Sequence, residues 1–228
     1  RIGATRSRRG GLLRQIRDDA ERREVAIGEL RSAADALVAH WHDVKMGGRT
    51  AASAAAWNAD RAGTFAEAAA HGEVLVLAVR GDAALDAVRA AGGAGALAGK
   101  VLMDVTNPLD FSEGFPPKLI EGLQNTASLG EALQAELPDT RVVKSLNTMS
   151  NFVMTEPGLL DGPSDTFLAG NDADAKATVA GILRDFGWEA PIDLGGIEAS
   201  RGLEAWLLLW TRAMGPMGGN GLFNLRLV

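Results

Sequence analysis

Four short stretches of this 228-residue chain end apolar runs with side chains that have chemistry to offer. Met46-Gly47-Gly48-Arg49-Thr50 presents a guanidinium and a hydroxyl just past two glycines. A guanidinium forks onto phosphate oxygens, and glycine opens the backbone to a close approach. Ala78-Val79-Arg80 brings a second cation to the end of another apolar run. In Thr106-Asn107-Pro108 a carboxamide can donate and accept, which suits an amide or a ring edge. The proline keeps Asn107 out of the helical region, so a plain turn is the other reading. Lys144-Ser145-Leu146-Asn147-Thr148 adds a cation and three polar groups. Lys144 either faces a ligand there or pairs with an acid inside the strand pattern, and the spacing leaves both open.

The residues that are missing narrow the chemistry further. There is no Cys and no Tyr, which removes thiolate metal sites, thiol nucleophiles and phenolic proton donors. The three histidines are His40, His42 and His71. The first two fall near the end of a predicted helix, where the macrodipole favours a cationic surface imidazole. His71 precedes a strand, at the end of a sheet away from chemistry. No Ser/His/Asp or His-x-Glu constellation is present. The net charge of −6 hides a basic arm: residues 1–24 carry eight Arg against Asp18, Asp19, Glu21 and Glu24, or +4, leaving −10 for the rest. The arm has no aromatic residue to stack bases and no apolar run for a signal peptide, so it reads as an extension and not as a nucleic-acid arm. No apolar run reaches the roughly 18 to 20 residues a membrane span needs, and a cytoplasmic chain without a membrane partner is expected.

The elements that must position these residues alternate. Strands are predicted at Val25–Ile27, Asp43–Met46, Val74–Val79, Val101–Val105, Arg141–Leu146, Thr166–Ala169 and Pro191–Leu194. Helices are predicted over 31–40, 51–58, 64–70, 83–91, 128–136, 172–186 and 197–214. Thr64-x-x-Glu67 and Ser128-x-x-Glu131 have the form of capping boxes. Trp206 and Trp210 share one helix face, read as core or homodimer packing in preference to the alternative of a cofactor box. The tail Leu222–Val228 alternates like an edge strand. The runs at 74–79 and 101–105 are apolar throughout, as in strands covered on both faces. Alternation of this kind implies an α/β fold: a doubly wound, mostly parallel sheet with a C-terminal helix and edge strand. Such sheets bind ligands beyond the carboxyl ends of their strands, where all four stretches fall. An NAD-specific site would place an acid at the end of the second strand; Gly48, Arg49 and Thr50 stand there instead, which suits the 2′-phosphate of NADP.

The stretches HDVKMGGRTAASAAAW, AGTFAEAAAHGEVLVLAV, GKVLMDVTNPLDFSEGFPP, SLGEALQAELPDTRVVKSLNT, GNDADAKATVAGILRDFGW, IDLGGIEASRGLE and LFNLRLV resemble, in order and spacing, the NADPH-dependent deazaflavin (F-420) reductase family. The likeness runs over roughly 25–228, taken as an NAD(P)-binding reductase domain after the 1–24 extension. It implies a Rossmann fold and hydride transfer between NADP(H) and a small-molecule redox acceptor, a deazaflavin of the F-420 type or a flavin-like compound. By this resemblance Arg49 faces the 2′-phosphate. The cofactor side comprises Gly28, Gly48, Arg49, Thr50, Ala78, Val79, Arg80, Asn107 and Pro108, with the last two near the nicotinamide. Leu146, Asn147 and Thr148 line the acceptor side. Hydride transfer asks the protein for orientation and exclusion of water, not for acid or base side chains. Reduction of a small imine or carbonyl would need a proton donor, and none is evident.

One stretch departs from the family. After Val25-Ala26-Ile27 the family has Gly-x-Gly-x-x-Gly, which cradles a pyrophosphate at a helix N-terminus. Here Gly28 stands alone, Glu29 follows it, and the loop is about three residues short of that pattern. Weak NADPH binding is therefore expected. A non-catalytic Rossmann protein serving as a partner or sensor is the alternative, and Gly3–Gly11 as a displaced loop is the less economical one. The Arg49 assignment has its own test. In isothermal titration, Arg49→Ala should weaken NADPH binding by about 1.5–3 kcal/mol, the range for a hydrogen bond to a charged group, and spare NADH. Equal losses for both nucleotides would contradict it.

Overall fold

The computed structural model describes residues 25–27, 44–48 and 61–228. The arm 1–24, Gly28 with the loop after it, the helices expected at 31–40 and 51–58, His40, His42, Arg49 and Thr50 lie outside the described residues. The strands are β1 (Val25–Ile27), β2 (Val44–Gly48), β3 (Arg61–Thr64), β4 (Val74–Leu77), β5 (Val101–Asp104), β6 (Leu109–Asp110), β7 (Lys118–Leu119), β8 (Arg141–Ser145), β9 (Phe167–Gly170) and β10 (Ile192–Asp193). The helices are α1 (Phe65–His71), α2 (Ala84–Ala90), α3 (Gly93–Leu97), α4 (Leu129–Glu136), α5 (Asn151–Thr155), α6 (Ala173–Asp185) and α7 (Ser200–Ala213).

Eight strands form one sheet in the order β10-β9-β8-β5-β4-β1-β2-β3. From β3 to β8 all pairs are parallel, which is the 3-2-1-4-5-6 order of the Rossmann fold. β9 then runs antiparallel to β8, and β10 parallel to β9. β6 and β7 make a separate antiparallel pair over the loop that follows β5.

Successive side chains of the central strands serve opposite faces, as the two-residue period requires. Val74, Val76, Met103 and Val143 pack with Val179, Ile182 and Leu183 of α6 and with Trp188. Leu75, Leu77, Leu102 and Val142 pack on the other face with Ala87 and Val88 of α2 and Leu129 and Leu133 of α4. With both faces covered, the unbroken apolar runs are explained. Helix starts follow local chemistry. Thr64 and Glu67 exchange both bonds of a capping box, Asp172 caps α6, and Ser128 caps α4. Gly92, at φ 108, separates α2 from α3.

No predicted element covers α3, α5, β6 or β7, and β3 and the tail also differ from expectation. β3 has no apolar run to announce it; its register against β2, Lys45 opposite Arg61, makes it a strand by pairing. The tail Leu222–Val228 is not an edge strand. The tail pairs with no strand of the sheet and meets the segment before β9 instead. There Leu225 O accepts from Asp165 N (3.0 Å) and Asn224 Nδ2 donates to Asp165 O (2.8 Å).

One polar cluster ties these elements together. Lys144 of β8 is fully buried and donates to Asp104 Oδ2 of β5 (2.8 Å), to Glu204 Oε1 of α7 (2.9 Å) and to the Thr106 carbonyl (2.6 Å). Glu204 also accepts from the Leu129 and Gly130 N–H groups at the start of α4 (2.8 and 3.0 Å). Asp104 Oδ1 accepts from both the N–H and the hydroxyl of Thr106 (2.9 and 2.6 Å). Burial alone would pull the Lys144 ammonium down, but the charges of Asp104 and Glu204 outweigh it and hold it above its ordinary value. A raised amine contributes stability that is complete below its unfolded-state value and is lost as pH rises through the folded one. The ammonium's share of the cluster's stability should therefore hold through neutral pH and be lost in strong alkali. Lys144→Met leaves two buried carboxylates uncompensated. It should cost about 3–5 kcal/mol in urea denaturation at pH 7, whereas a loss under about 1 kcal/mol would contradict the cluster's role.

Candidate functional site

Beyond the carboxyl ends of β4, β5 and β8 lies a cavity of about 480 Å³. Three turns and α7 build it. The turn after β4 supplies Ala78, Val79, Arg80 and Gly81. The turn after β5 supplies Val105, Thr106 and Asn107, and the segment after β8 supplies Met149 to Phe152. Trp210 and Met214 of the α7 region and Gly219 to Gly221 close the far side.

Gly81 is required by proximity. A Cβ there would lie 2.0 Å from the Asn107 carbonyl oxygen and 2.9 Å from Pro108 Cα, both backbone atoms. The turns after β4 and β5 are thus in direct backbone contact. The turn after β5 is fixed from below by Asp104 and Lys144, as described above. It is fixed from the side by a carboxamide clasp. Asn107 Nδ2 donates to the Asn147 carbonyl (2.9 Å), and Asn147 Nδ2 donates to Asn107 Oδ1 (2.9 Å) and to the Leu203 carbonyl of α7 (3.0 Å). At the start of this β8 turn, Leu146 has φ 59, a left-handed backbone that costs a non-glycine residue about 1–2 kcal/mol. Its burial in the core cluster holds it there. Trp206 Nε1 donates to the Thr148 carbonyl (3.1 Å), and Trp210 stacks on Phe223 with ring centres 5.1 Å apart. Trp188 Nε1 donates to the Met154 carbonyl (2.9 Å), which anchors α5 and so Phe152.

Of the residues singled out from the sequence, Ala78, Val79, Arg80 and Asn107 come together on the cavity wall, with Pro108 packed behind Gly81. Gly48 is the last residue of β2. Gly28, Arg49 and Thr50 lie outside the described residues. Leu146, Asn147 and Thr148 are buried beneath the wall, and the next four residues face the cavity in their place. Lys144 takes the paired-acid alternative and does not reach the cavity. His71 ends α1 at the amino end of β4. Met149 to Phe152, Met214 and the glycines at 219 and 221 were not anticipated as site residues. Their signals were slight: a tryptophan on the cavity side of α7, and the glycine-rich run Gly215-Pro-Met-Gly-Gly-Asn-Gly221.

The wall is mostly apolar. Arg80 is the one ionisable side chain among its described residues, and it pairs with Asp82. In the wall, Ser150 Oγ and Asn151 Nδ2, and just behind it, Asn147 Oδ1 and Thr148 Oγ1, are buried with no hydrogen-bond partner. Buried polar atoms are rarely left so, and four of them within five residues beside a cavity mark a place where polar groups of a bound molecule or ordered water belong. No group of three or more His, Cys, Asp or Glu among the described residues could hold a metal ion. No helix among them is long and apolar enough to cross a membrane.

Known proteins match this chain in sequence and fold. The model of the family described as NADP oxidoreductase, coenzyme F420-dependent, matches residues 27–108. The crystal structure of a candidate F420-dependent NADP-reductase from Arthrobacter sp. FB24 superposes with a TM-score of 0.83 at 37% identity, over 90% of this chain and 99% of that one. The F420-dependent NADP reductase of Methanocaldococcus jannaschii is 27% identical over 141 residues, 61% of this chain and 60% of that protein. Metalloreductase STEAP3 of Rattus norvegicus is 34% identical over 109 residues, 48% of this chain. The match spans only 20% of the rat protein, so this chain spans less than two thirds of either curated relative. The identity along nearly the whole Arthrobacter chain, with the family's own pattern over 27–108, places this protein in the coenzyme F420-dependent NADP oxidoreductase family.

Proposed function

We propose that this protein transfers hydride between NADP(H) and a deazaflavin or flavin-like acceptor, with the reacting rings meeting in the cavity beyond β4, β5 and β8. The observation that carries this reading is the wall itself: apolar, walled by three strand-end turns, and without a proton-transferring side chain among its described residues. Bound NADPH would supply the hydride, and the chain's own residues need only bind, orient and keep out water. Ala78, Val79 and Asn107, with Gly81 letting the two turns touch, would hold the nicotinamide end. The unpartnered polar atoms of Ser150 and Asn151 on the wall and the donor and acceptor set of Asn107 fit an amide-bearing ring. Gly28, Gly48, Arg49 and Thr50 would take the phosphate end. The clasp from Asn147 uses one N–H and one lone pair of Asn107, so this side chain meets a ligand with a fixed orientation. Met149, Phe152 and Trp210 would exclude water. Without an ionisable group other than Arg80, the transfer step should be flat across neutral pH.

The lone Gly28 and the charge of Glu29 favour a second reading, a non-catalytic Rossmann protein that does not bind the dinucleotide. Titration with NADPH separates the two. NADPH deuterated on the transferred position at C4, mixed with a deazaflavin, then tests the chemistry. The label is expected in the reduced acceptor; recovery in water would contradict direct transfer. Gly81→Ala pushes the turns after β4 and β5 apart and should lower kcat/KM on the order of a hundredfold, as small misplacements of reacting groups do. Unchanged kinetics would contradict the placement of the nicotinamide between these turns.

A further inference from the structure

Arg80 stands where the cavity adjoins the phosphate side of the sheet. β4 lies between β1 and β5. β5 leads to Asn107, and β1 ends at Ile27, in register with Val76 of β4. The next residue of the sequence, Gly28, is where the family's phosphate-binding pattern begins. A dinucleotide laid along this edge, with its nicotinamide at Asn107 and its phosphates toward β1, passes the end of β4. The Arg80 backbone is fixed at that point. Its neighbour Gly81 rests on the Asn107 carbonyl, and Ala83 N donates to Arg80 O (2.9 Å).

The Arg80 side chain is held far less firmly. It is 75% exposed, and its Nη2 donates to Asp82, which is 44% exposed. The other N–H groups of the guanidinium have no hydrogen-bond partner among the described residues. An ion pair so open to water is weak and is exchanged at little cost. A diphosphate carries more charge than a carboxylate and matches the planar fork better. Resting on the function proposed above, we infer that Asp82 is a stand-in anion: it occupies Arg80 in the absence of nucleotide, and the diphosphate of NADP(H) takes Arg80 from it. The pair thereby sets the affinity for the dinucleotide. Arg80 supplies by charge part of what the sequence lacks in glycines, since Gly28 alone remains of Gly-x-Gly-x-x-Gly and Glu29 follows it. Asp82 opposes binding twice, by holding the guanidinium and by repelling the phosphates.

The diphosphate is common to NADPH and NADH, which separates this role from that of Arg49. Isothermal titration of the full chain with each nucleotide, at low and high salt, tests the exchange. Arg80→Ala should raise the Kd of both nucleotides about tenfold or more, the equivalent of one charged hydrogen bond. Asp82→Asn keeps the size and removes the charge. It should lower both Kd values about threefold at low salt, the scale of an exposed ion pair. The gain should shrink at high salt, which screens exposed charges. Both side chains are exposed, so the urea midpoints of the variants should match that of the unmodified chain. An Asp82→Asn Kd equal to or above that of the unmodified chain would overturn the inference and leave the reductase reading intact. So would a loss in Arg80→Ala confined to NADPH, which would place Arg80 on the 2′-phosphate. A loss confined to the KM of a deazaflavin acceptor would overturn it as well. Nucleotide affinities that shift as expected, with no deazaflavin reduced, would support the exchange and remove the transfer reading. Failure of both the unmodified chain and Asp82→Asn to bind NADPH would remove the two together.

Discussion

A single ammonium, that of Lys144, holds the working edge of this sheet in place. It sits at the point where β5, β8, α4 and α7 converge, shut off from water, with all three of its protons on oxygens. Two carboxylates against one ammonium leave a net negative charge in the core. The first N–H groups of α4 point at Glu204 and supply the balance, because a helix start has donors to spare and a positive end of its dipole. Each member depends on the others. Remove the cation and two buried charges are stranded; move α7 and Glu204 leaves both Lys144 and α4. An apolar cluster of the same volume would pack as stably. It would not fix the Thr106 carbonyl, and so the turn that leads into Asn107.

From this cluster the geometry of the cavity follows in order. Thr106 is held by Asp104 and Lys144, Asn107 by Asn147, and Asn147 by the Leu203 carbonyl of α7. The turn after β4 is then set by contact, since Gly81 rests on the Asn107 carbonyl. α7 reaches the same place twice, through Glu204 in the core and through Trp210 on the cavity wall. A second bridge ties α7 to α4, with Arg201 Nε on Glu131 Oε2 at 2.8 Å. Arg201 draws the Glu131 carboxyl below its usual range, so this bridge persists at neutral pH and weakens as pH falls into the carboxylate range. Both partners are partly exposed, and it adds less than the buried cluster does.

Much of the frame was legible in the sequence because its signals are local. The apolar runs at 74–77 and 101–104, the caps at Thr64, Ser128 and Asp172, and the carboxyl-edge turns at 78–80 and 106–108 follow from residue type and spacing. What was not legible depends on pairing between distant segments. β3 is a strand by its pairing with β2, and the tail Leu222–Val228 joins no strand and meets Asp165 ahead of β9 instead. Lys144 could not be assigned from its strand, since one of its carboxylates comes from a helix 60 residues further on. The family resemblance puts Leu146 to Thr148 on the lining, yet the left-handed turn at Leu146 tucks them under the wall and brings up Met149 to Phe152. A positive φ at leucine leaves no mark in the sequence.

The central claim is that the dinucleotide's reactive end sits against turns fixed by this buried cluster. Amide hydrogen exchange of the unmodified protein, with and without saturating NADPH, tests it most directly. The account predicts new protection at 78–81, 105–109 and 149–154, with β9, α6 and β10 unchanged. Protection confined to other segments, or absent at these three while NADPH is bound, would contradict it.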